Sequence, residues 1–382
     1  MIISHIILKN WRNFSNVDVS LGERVFIVGP NAAGKSNFLD AFRFLRDIAK
    51  PGGGLQKAVV DRGGISKIRC LAARRYSDIE IQVELADSAG KGAQWTYDIG
   101  IRQQARGHRH VLLTKERVLN GDKVLLDRPD REDKRDEERL TQTHLEQINA
   151  NAQFREITKF LESVLYLHLV PQLVRHPEAF GGPGIPGDPF GQSFLERVAK
   201  TPEKTRRSRL RKIEHALRGA VPQLNQLSYI TDELGIPHLE ALYSHWRPHG
   251  AKQREDQFSD GTLRLLGLFW SLLEGDSPLL LEEPELSLNS GIVTKLANLI
   301  YRIQRQRKRQ VLVSTHSEHL LSDRGIGGEE VLLLTPNIEG TRVELASAVR
   351  EVRDLLLGGL TVADAALPRT IPSQVGQLDL FK

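Results

Sequence analysis

Apolar residues recur along the chain in two rhythms. Residues 2–8 (IISHIIL) and 24–28 (RVFIV) are rich in β-branched side chains and predict strands. The second runs straight into GPNAAGKSN. FLDAFRFLRDIAK then sets Phe38, Ala41, Phe42, Leu45 and Ile48 at helical spacing, and PGGG at 51–54 ends that helix. Between 67 and 119, DIEIQVEL and WTYDIGI alternate as in an antiparallel sheet. Residues 127–147 (DRPDREDKRDEERLTQTHLEQ) are dense in both charge signs and predict an exposed loop leading into a helix that runs to about 163. VLYLHLV at 164–170 reads as a buried strand, FGGPGIPGDPFG at 180–191 as a mobile loop, and TPEKTRRSRLRKIEHALRGA as a basic helix. After 257 the rhythms alternate: helix 261–274, strand 278–282, helix 290–305, strand 310–314, helix 317–322, strand 330–335. Such alternation predicts a mainly parallel sheet covered by helices.

The segment GPNAAGKS fits G-x-x-x-x-G-K-[ST] between a predicted strand and a predicted helix, the context a phosphate-binding loop requires. Gly29 and Gly34 free the backbone N–H groups to wrap phosphate oxygens, and the new helix adds its positive end. Lys35 is expected to reach the β- and γ-phosphates and Ser36 to offer its hydroxyl to Mg2+; Pro30, Asn31, Ala32, Ala33 and Asn37 complete the loop. SPLLLLEEPELSLN sets Glu282 and Glu283 directly after an apolar strand, where ligands of parallel sheets gather. Two adjacent carboxylates there need a cation nearby, which Mg-ATP would supply. Glu282 is then the metal-orienting acid and Glu283 the group that polarises water. QFSDGTLRLLGLF puts Ser259, Asp260 and Gly261 at a helix start, a second anion site, and VLVSTHSEHL puts Thr315, His316 and Ser317 at a strand end.

Composition narrows the setting. The chain has 382 residues, enough for two or three lobes, with 26% charged and 40% hydrophobic residues. Its net charge of +5 permits a nucleic-acid partner without demanding one. Cys70 is the one cysteine, which excludes an internal disulfide framework and a Cys-rich zinc site. No apolar run reaches the ~20 residues that span a bilayer, and MIISHIILKNWRNF lacks the pattern of a signal peptide, so the expected location is cytoplasmic.

With these motifs in place, the sequence resembles ABC-type ATPases of the SMC/RecF class. More narrowly, it resembles bacterial stand-alone AAA-family ATP-binding proteins related to the ATPase half of OLD nucleases, on ILKNWRNFSNVDVSLGERVFIVGPNAAGKSNFLDAFRFL and the motifs from 255 to 335. The implied fold is α/β: a P-loop ATPase head with a mixed, mainly parallel sheet, a flanking antiparallel sheet and an inserted helical region. Expected divisions are an N-terminal lobe (1–125), an insertion (126–255), a C-terminal lobe (256–350) and a tail (351–382). The resemblance implies that Gly29–Ser36 is the Walker A loop, Glu282 the Walker B acid and Glu283 the catalytic glutamate. Ser287, Leu288 and Asn289 take the D-loop position, and His316 that of the switch histidine. SDGT at 259–262 stands in place of the more usual SGGQ signature. Gln172 is the candidate Q-loop glutamine and metal contact, with Gln56 its rival. The class also implies a homodimer in which each signature caps the other subunit's ATP.

Heptad arms, a CxxC hook and a nuclease domain after 350 are not read in this chain. Two functions compete: a DNA-associated ATPase of repair, replication or phage defence, and a regulatory ATPase that controls a separately encoded effector such as a nuclease. An ABC-transporter subunit is disfavoured by LKNWRNF. The final residues add a partner: Gln377, Leu378, Asp379, Leu380 and Phe381 (QLDLF) resemble the peptide by which bacterial replication and repair proteins dock on the β sliding clamp. The alternative is a short strand or turn that packs on the protein's own core.

Overall fold

The chain is seen in a computed structural model that describes residues 1–73, 78–104, 110–179, 188–244 and 250–371. The N-terminal part forms β1 (Ile2–Trp11), β2 (Phe14–Ser20), β3 (Arg24–Val28), α1 (Lys35–Ala49), α2 (Leu55–Val60), α3 (Ile65–Ile68), β4 (Ile79–Ala86), β5 (Trp95–Gln103), β6 (Val111–Asn120) and β7 (Lys123–Arg128). The middle forms α4 (Arg155–Glu162), β8 (Leu165–Leu167), α5 (Pro171–Arg175), α6 (Phe194–Lys200), α7 (Glu203–Leu217), β9 (Leu224–Thr231), β10 (Pro237–Tyr243) and β11 (Ala251–Arg254). The remainder forms α8 (Asp260–Leu273), β12 (Leu279–Glu282), α9 (Ser290–Arg307), β13 (Val311–Thr315), α10 (Glu318–Leu321), β14 (Val331–Asn337), β15 (Gly340–Leu345), α11 (Arg350–Leu357) and α12 (Val362–Ala366).

The central sheet has the order β15-β14-β3-β13-β12-β8, parallel throughout except for β15 against β14. Both faces are covered, and the strand alternation sorts the side chains. Val25, Ile27, Leu280 and Leu312 enter one apolar core with α1 and the antiparallel sheet. Phe26, Val28, Leu279, Leu281, Val311 and Val313 enter the other, with α7, α8 and α9. The flanking antiparallel sheet has the order β2-β1-β4-β5-β6-β7. Among the described residues no helix is long and apolar enough to cross a membrane.

The middle of the chain departs most from the pattern. The charged run after 127 is anchored instead of merely solvated. The Arg128 guanidinium is buried against Glu116 (2.9 Å) and Asp133 (2.9 Å) and donates to the carbonyls of Gln142 and Arg139. Glu116 also accepts the N–H groups of His144 (2.9 Å) and Leu145 (3.2 Å). The helix expected to run on to 163 starts only at Arg155. Of 164–170, only Leu165–Leu167 pair as a strand. Residues 126–255 hold helices but also supply edge strand β8 and a separate antiparallel sheet, β11-β10-β9. Most of the loop at 180–191 (residues 180–187) lies outside the described residues, as does the tail from 372, including Gln377, Leu378, Asp379, Leu380 and Phe381.

Candidate nucleotide site

The site forms where β3, β13 and β12 end side by side. Every residue of β3 is buried, and the chain leaves it at Gly29, so close to β14 that an added Cβ would lie 2.8 Å from the Leu334 carbonyl oxygen. Gly34 caps α1 at φ 97°, a left-handed conformation that suits glycine, and a Cβ there would strike the Asn13 amide at 2.2 Å. Lys35 is buried, and its Nζ donates to the carbonyls of Gly29 (2.9 Å) and Pro30 (3.2 Å) across the loop. Burial lowers its pKa, while Glu283 and Glu282 pull the other way. Asn31, Ala32 and Ser36 are exposed at the rim; Ala33 is buried and Asn37 half-buried.

Ser36 Oγ donates to one Glu282 carboxylate oxygen, so the two residues assigned to the cation already meet. Among the described residues no group of three or more His, Cys, Asp or Glu is placed to hold a metal. A hydroxyl and one carboxylate suit Mg2+, which keeps several waters and takes its remaining ligands from phosphate. Glu283 turns away at φ 44°, a left-handed strain found at functional sites, and its N–H donates to the Ser314 carbonyl (2.9 Å). Its Oε1 lies 3.0 Å from His316 Nδ1, joining the ends of β12 and β13.

Ser259 caps α8, accepting the Thr262 N–H at 3.2 Å. Asp260 pairs with Arg175 (2.6 Å), and Gly261 packs under the backbone of Ser287, where a Cβ would lie 3.0 Å from its carbonyl oxygen. Gln172 is exposed on α5, its amide 3.5 Å from Asp260. Gln172 therefore stands beside Asp260, and among the described residues no hydrogen-bond partner of Ser259, Asp260 or Thr262 belongs to the loop 29–37. The rival Gln56 is used structurally: its amide bonds Val111 on both sides and the Thr141 carbonyl (2.7 Å). Asn289 caps α9, accepting the Gly291 N–H at 2.9 Å, and Ser287 has φ 61°. Leu288 is half-buried beside Gly261.

Three further residues complete the site without a signal in the sequence pattern. Asn13 braces the phosphate loop, donating to the Ala33 carbonyl (2.7 Å) and accepting from Asn37 (2.8 Å). Tyr166 on β8 donates its hydroxyl to the second Glu282 oxygen, and burial followed by that carboxylate raises its pKa. Glu285 is buried and accepts the Thr315 hydroxyl, whose oxygen in turn accepts the Ser317 N–H (3.0 Å). Thus both neighbours of His316 are pinned from behind.

Comparison with known proteins supplies the family. Residues 24–322 match the model described as "AAA domain, putative AbiEii toxin, Type IV TA system". The chain belongs to this AAA family. Over 97 residues it is 33% identical to the DNA replication and repair protein RecF of Clavibacter sepedonicus, covering 25% of this chain and 24% of that one. Over 47 residues it is 49% identical to endonuclease GajA of Bacillus cereus strain VD045, covering 12% of this chain and 8% of that one. The aligned part thus spans about a quarter of the RecF relative's length. The crystal structure of the SmcHead bound to the C-winged helix domain of ScpA shares the fold, with a TM-score of 0.52 at 15% identity over 90% of this chain and 97% of that one. The α/β architecture of this AAA-family member and its strand–loop–helix at 24–49 are similar to those of ABC-type ATPases of the SMC/RecF class.

Proposed function

We propose that the protein binds Mg-ATP at the loop 29–37 and hydrolyses it as an ATP-closed homodimer acting on DNA. The observation that carries the reading is the meeting of two pairs at adjacent strand ends: Ser36 with Glu282, and His316 with Glu283. Lys35 and the N-terminus of α1 hold the phosphates. Ser36 and Glu282 would hold Mg2+, which would supply positive charge against the phosphates. Glu283 takes a proton from the water that attacks the γ-phosphorus while the bond to the bridging oxygen breaks and ADP leaves; His316 keeps that carboxylate aimed. Ser259 and Gly261 share no partner with their own phosphate loop, which suits a signature that caps the ATP of a second copy. Gln172, beside Asp260, would act on that side of the interface.

Phosphate release in the presence of Mg2+ tests the reading. Wild-type protein should turn over ATP. Lys35→Ala should lose ATP binding with the main charge partner of the phosphates, and Ser259→Arg should bind ATP but not turn it over. Turnover by Lys35→Ala at the wild-type rate would overturn the assignment.

The match to RecF favours a role at DNA, and QLDLF at 377–381 fits it as a docking peptide for the β sliding clamp. A peptide of residues 370–382 should bind purified clamp weakly, and Leu380→Ala with Phe381→Ala should remove the binding; equal binding by both peptides would contradict the clamp assignment. A second reading, a regulator of a separate effector, draws on the GajA match and the toxin named in the family description. It predicts a co-purifying protein and a turnover indifferent to DNA.

A further inference from the structure

Helix α7 is one of two helices with a net charge of +4; the other is α9, where Lys295, Arg302, Arg305 and Arg307 meet no acid in the helix. Between Glu203 and Leu217 six cations (Lys204, Arg206, Arg207, Arg209, Arg211, Lys212) face two acids, a net +4 in a protein whose total is +5. A basic stripe along one helix is the electrostatic footprint of a polyanion site.

The helix sorts these cations by side. Leu210, Ile213 and Leu217 are buried in the core shared with α8. Arg206 lies over the Tyr229 ring at 3.9 Å and Arg209 over the Trp270 ring at 5.2 Å, so both serve the packing side. The two acids are also engaged: Glu203 pairs with Arg207 (2.7 Å) and Glu214 with Arg218 (2.6 Å). Lys204, Arg211 and Lys212 are exposed, and among the described residues none has an acidic partner. They share the outward face with Glu203, Arg207 and Ser208, the other cations and Ser208 lying three, four, seven and eight residues after Lys204.

We propose that this outer face of α7 binds the phosphate backbone of duplex DNA and conveys its presence to the ATP site through α8. The proposal rests on the DNA-linked reading above and names its contact surface. Fifteen residues make a rigid row about 22 Å long. About six phosphates of one duplex strand lie along that length of axis. The inner side of α7 packs on α8, with Arg209 over Trp270 near its far end, and α8 runs unbroken from there back to Ser259–Thr262 at its start, so a load on α7 would travel along α8.

The test uses the full chain and a short labelled duplex, with binding followed by anisotropy over a range of salt. The variant carries Lys204→Gln, Arg211→Gln and Lys212→Gln; glutamine keeps the helix and removes charge. A control loses the same charge elsewhere through Lys91→Gln, Arg102→Gln and Lys123→Gln. The slope of log K against log salt should fall by about 2.7 in the α7 variant, at about 0.9 per phosphate contact. It should not change in the control. Stimulation of ATP turnover by duplex should vanish in the α7 variant, with turnover in the absence of DNA unaltered. Equal slopes in the two variants, no duplex binding by wild type, or displacement of duplex by poly-glutamate or single-stranded RNA at equal charge would each overturn the proposal. Turnover without DNA reports separately on the ATPase reading, so the two failures are distinguishable.

Discussion

Glu283→Gln should bind ATP as the wild type does and turn it over about 10²–10⁴-fold more slowly, the range that general-base catalysis contributes. The amide matches the carboxylate in size, so the backbone at φ 44° and the bond from the Glu283 N–H to Ser314 have no reason to change. What is lost is the capacity to take a proton. The His316 contact at 3.0 Å survives as an ordinary hydrogen bond, because an amide oxygen still accepts. ATP should therefore accumulate on the variant and hold two copies together, giving a larger species on size exclusion with ATP than without it. Turnover within a factor of two or so of wild type would remove Glu283 from the role of base. An unchanged elution volume in a variant that retains ATP would count against closure by ATP.

Arg128→Met should destabilise the fold by about 3–5 kcal/mol, the cost of leaving a buried ion pair without one partner. The Arg128 side chain is 1% exposed, and those of Glu116 and Asp133 are fully buried. Burial opposes the charge on Asp133, but Arg128, the Asp130 N–H and Arg139 together hold its carboxyl well below the usual range. Its contribution is thus present above the ordinary carboxylate pKa and is lost as pH falls through the lower folded value. Denaturant unfolding at neutral pH measures the variant. A loss under 1 kcal/mol would show that the anchor is incidental. A second variant, Arg128→Met with Glu116→Gln and Asp133→Asn, should recover part of the loss, since no uncompensated buried charge remains.

What the sequence reveals depends on how far apart the interacting parts lie. Strand, loop and helix of the phosphate site are contiguous at 24–49, and so are β12 and the acids that follow it; these were legible as periodicity followed by chemistry. The strand β8 is different. Three residues long, it gains its place only from the parallel pairing of Leu165–Leu167 with Leu279–Leu281. No local pattern says that Tyr166 will therefore face Glu282. Asn13 is hidden for the same reason: it follows β1 as an ordinary polar residue and becomes a brace only when Gly34 leaves it room. The run at 127–147 misleads through composition. Many charges suggest solvent, yet one of them, Arg128, is taken up by two carboxylates and two carbonyls. The sheet β9–β11 falls in a region where hydrophobic alternation is weak, since polar residues such as Asn225, Gln226 and Glu240 interrupt it.

In the proposed composite site one copy would supply Lys35 and Ser36 and the other Ser259 and Gly261. Mixing tests this most directly. Lys35→Ala retains an intact signature and Ser259→Arg an intact phosphate loop, so each should be inactive alone. A mixed dimer contains one site made wholly of intact parts. Phosphate release should therefore reappear when the two inactive variants are combined with Mg-ATP. Two folded variants that stay silent when mixed, or a Ser259→Arg protein that hydrolyses ATP alone at the wild-type rate, would contradict the shared site.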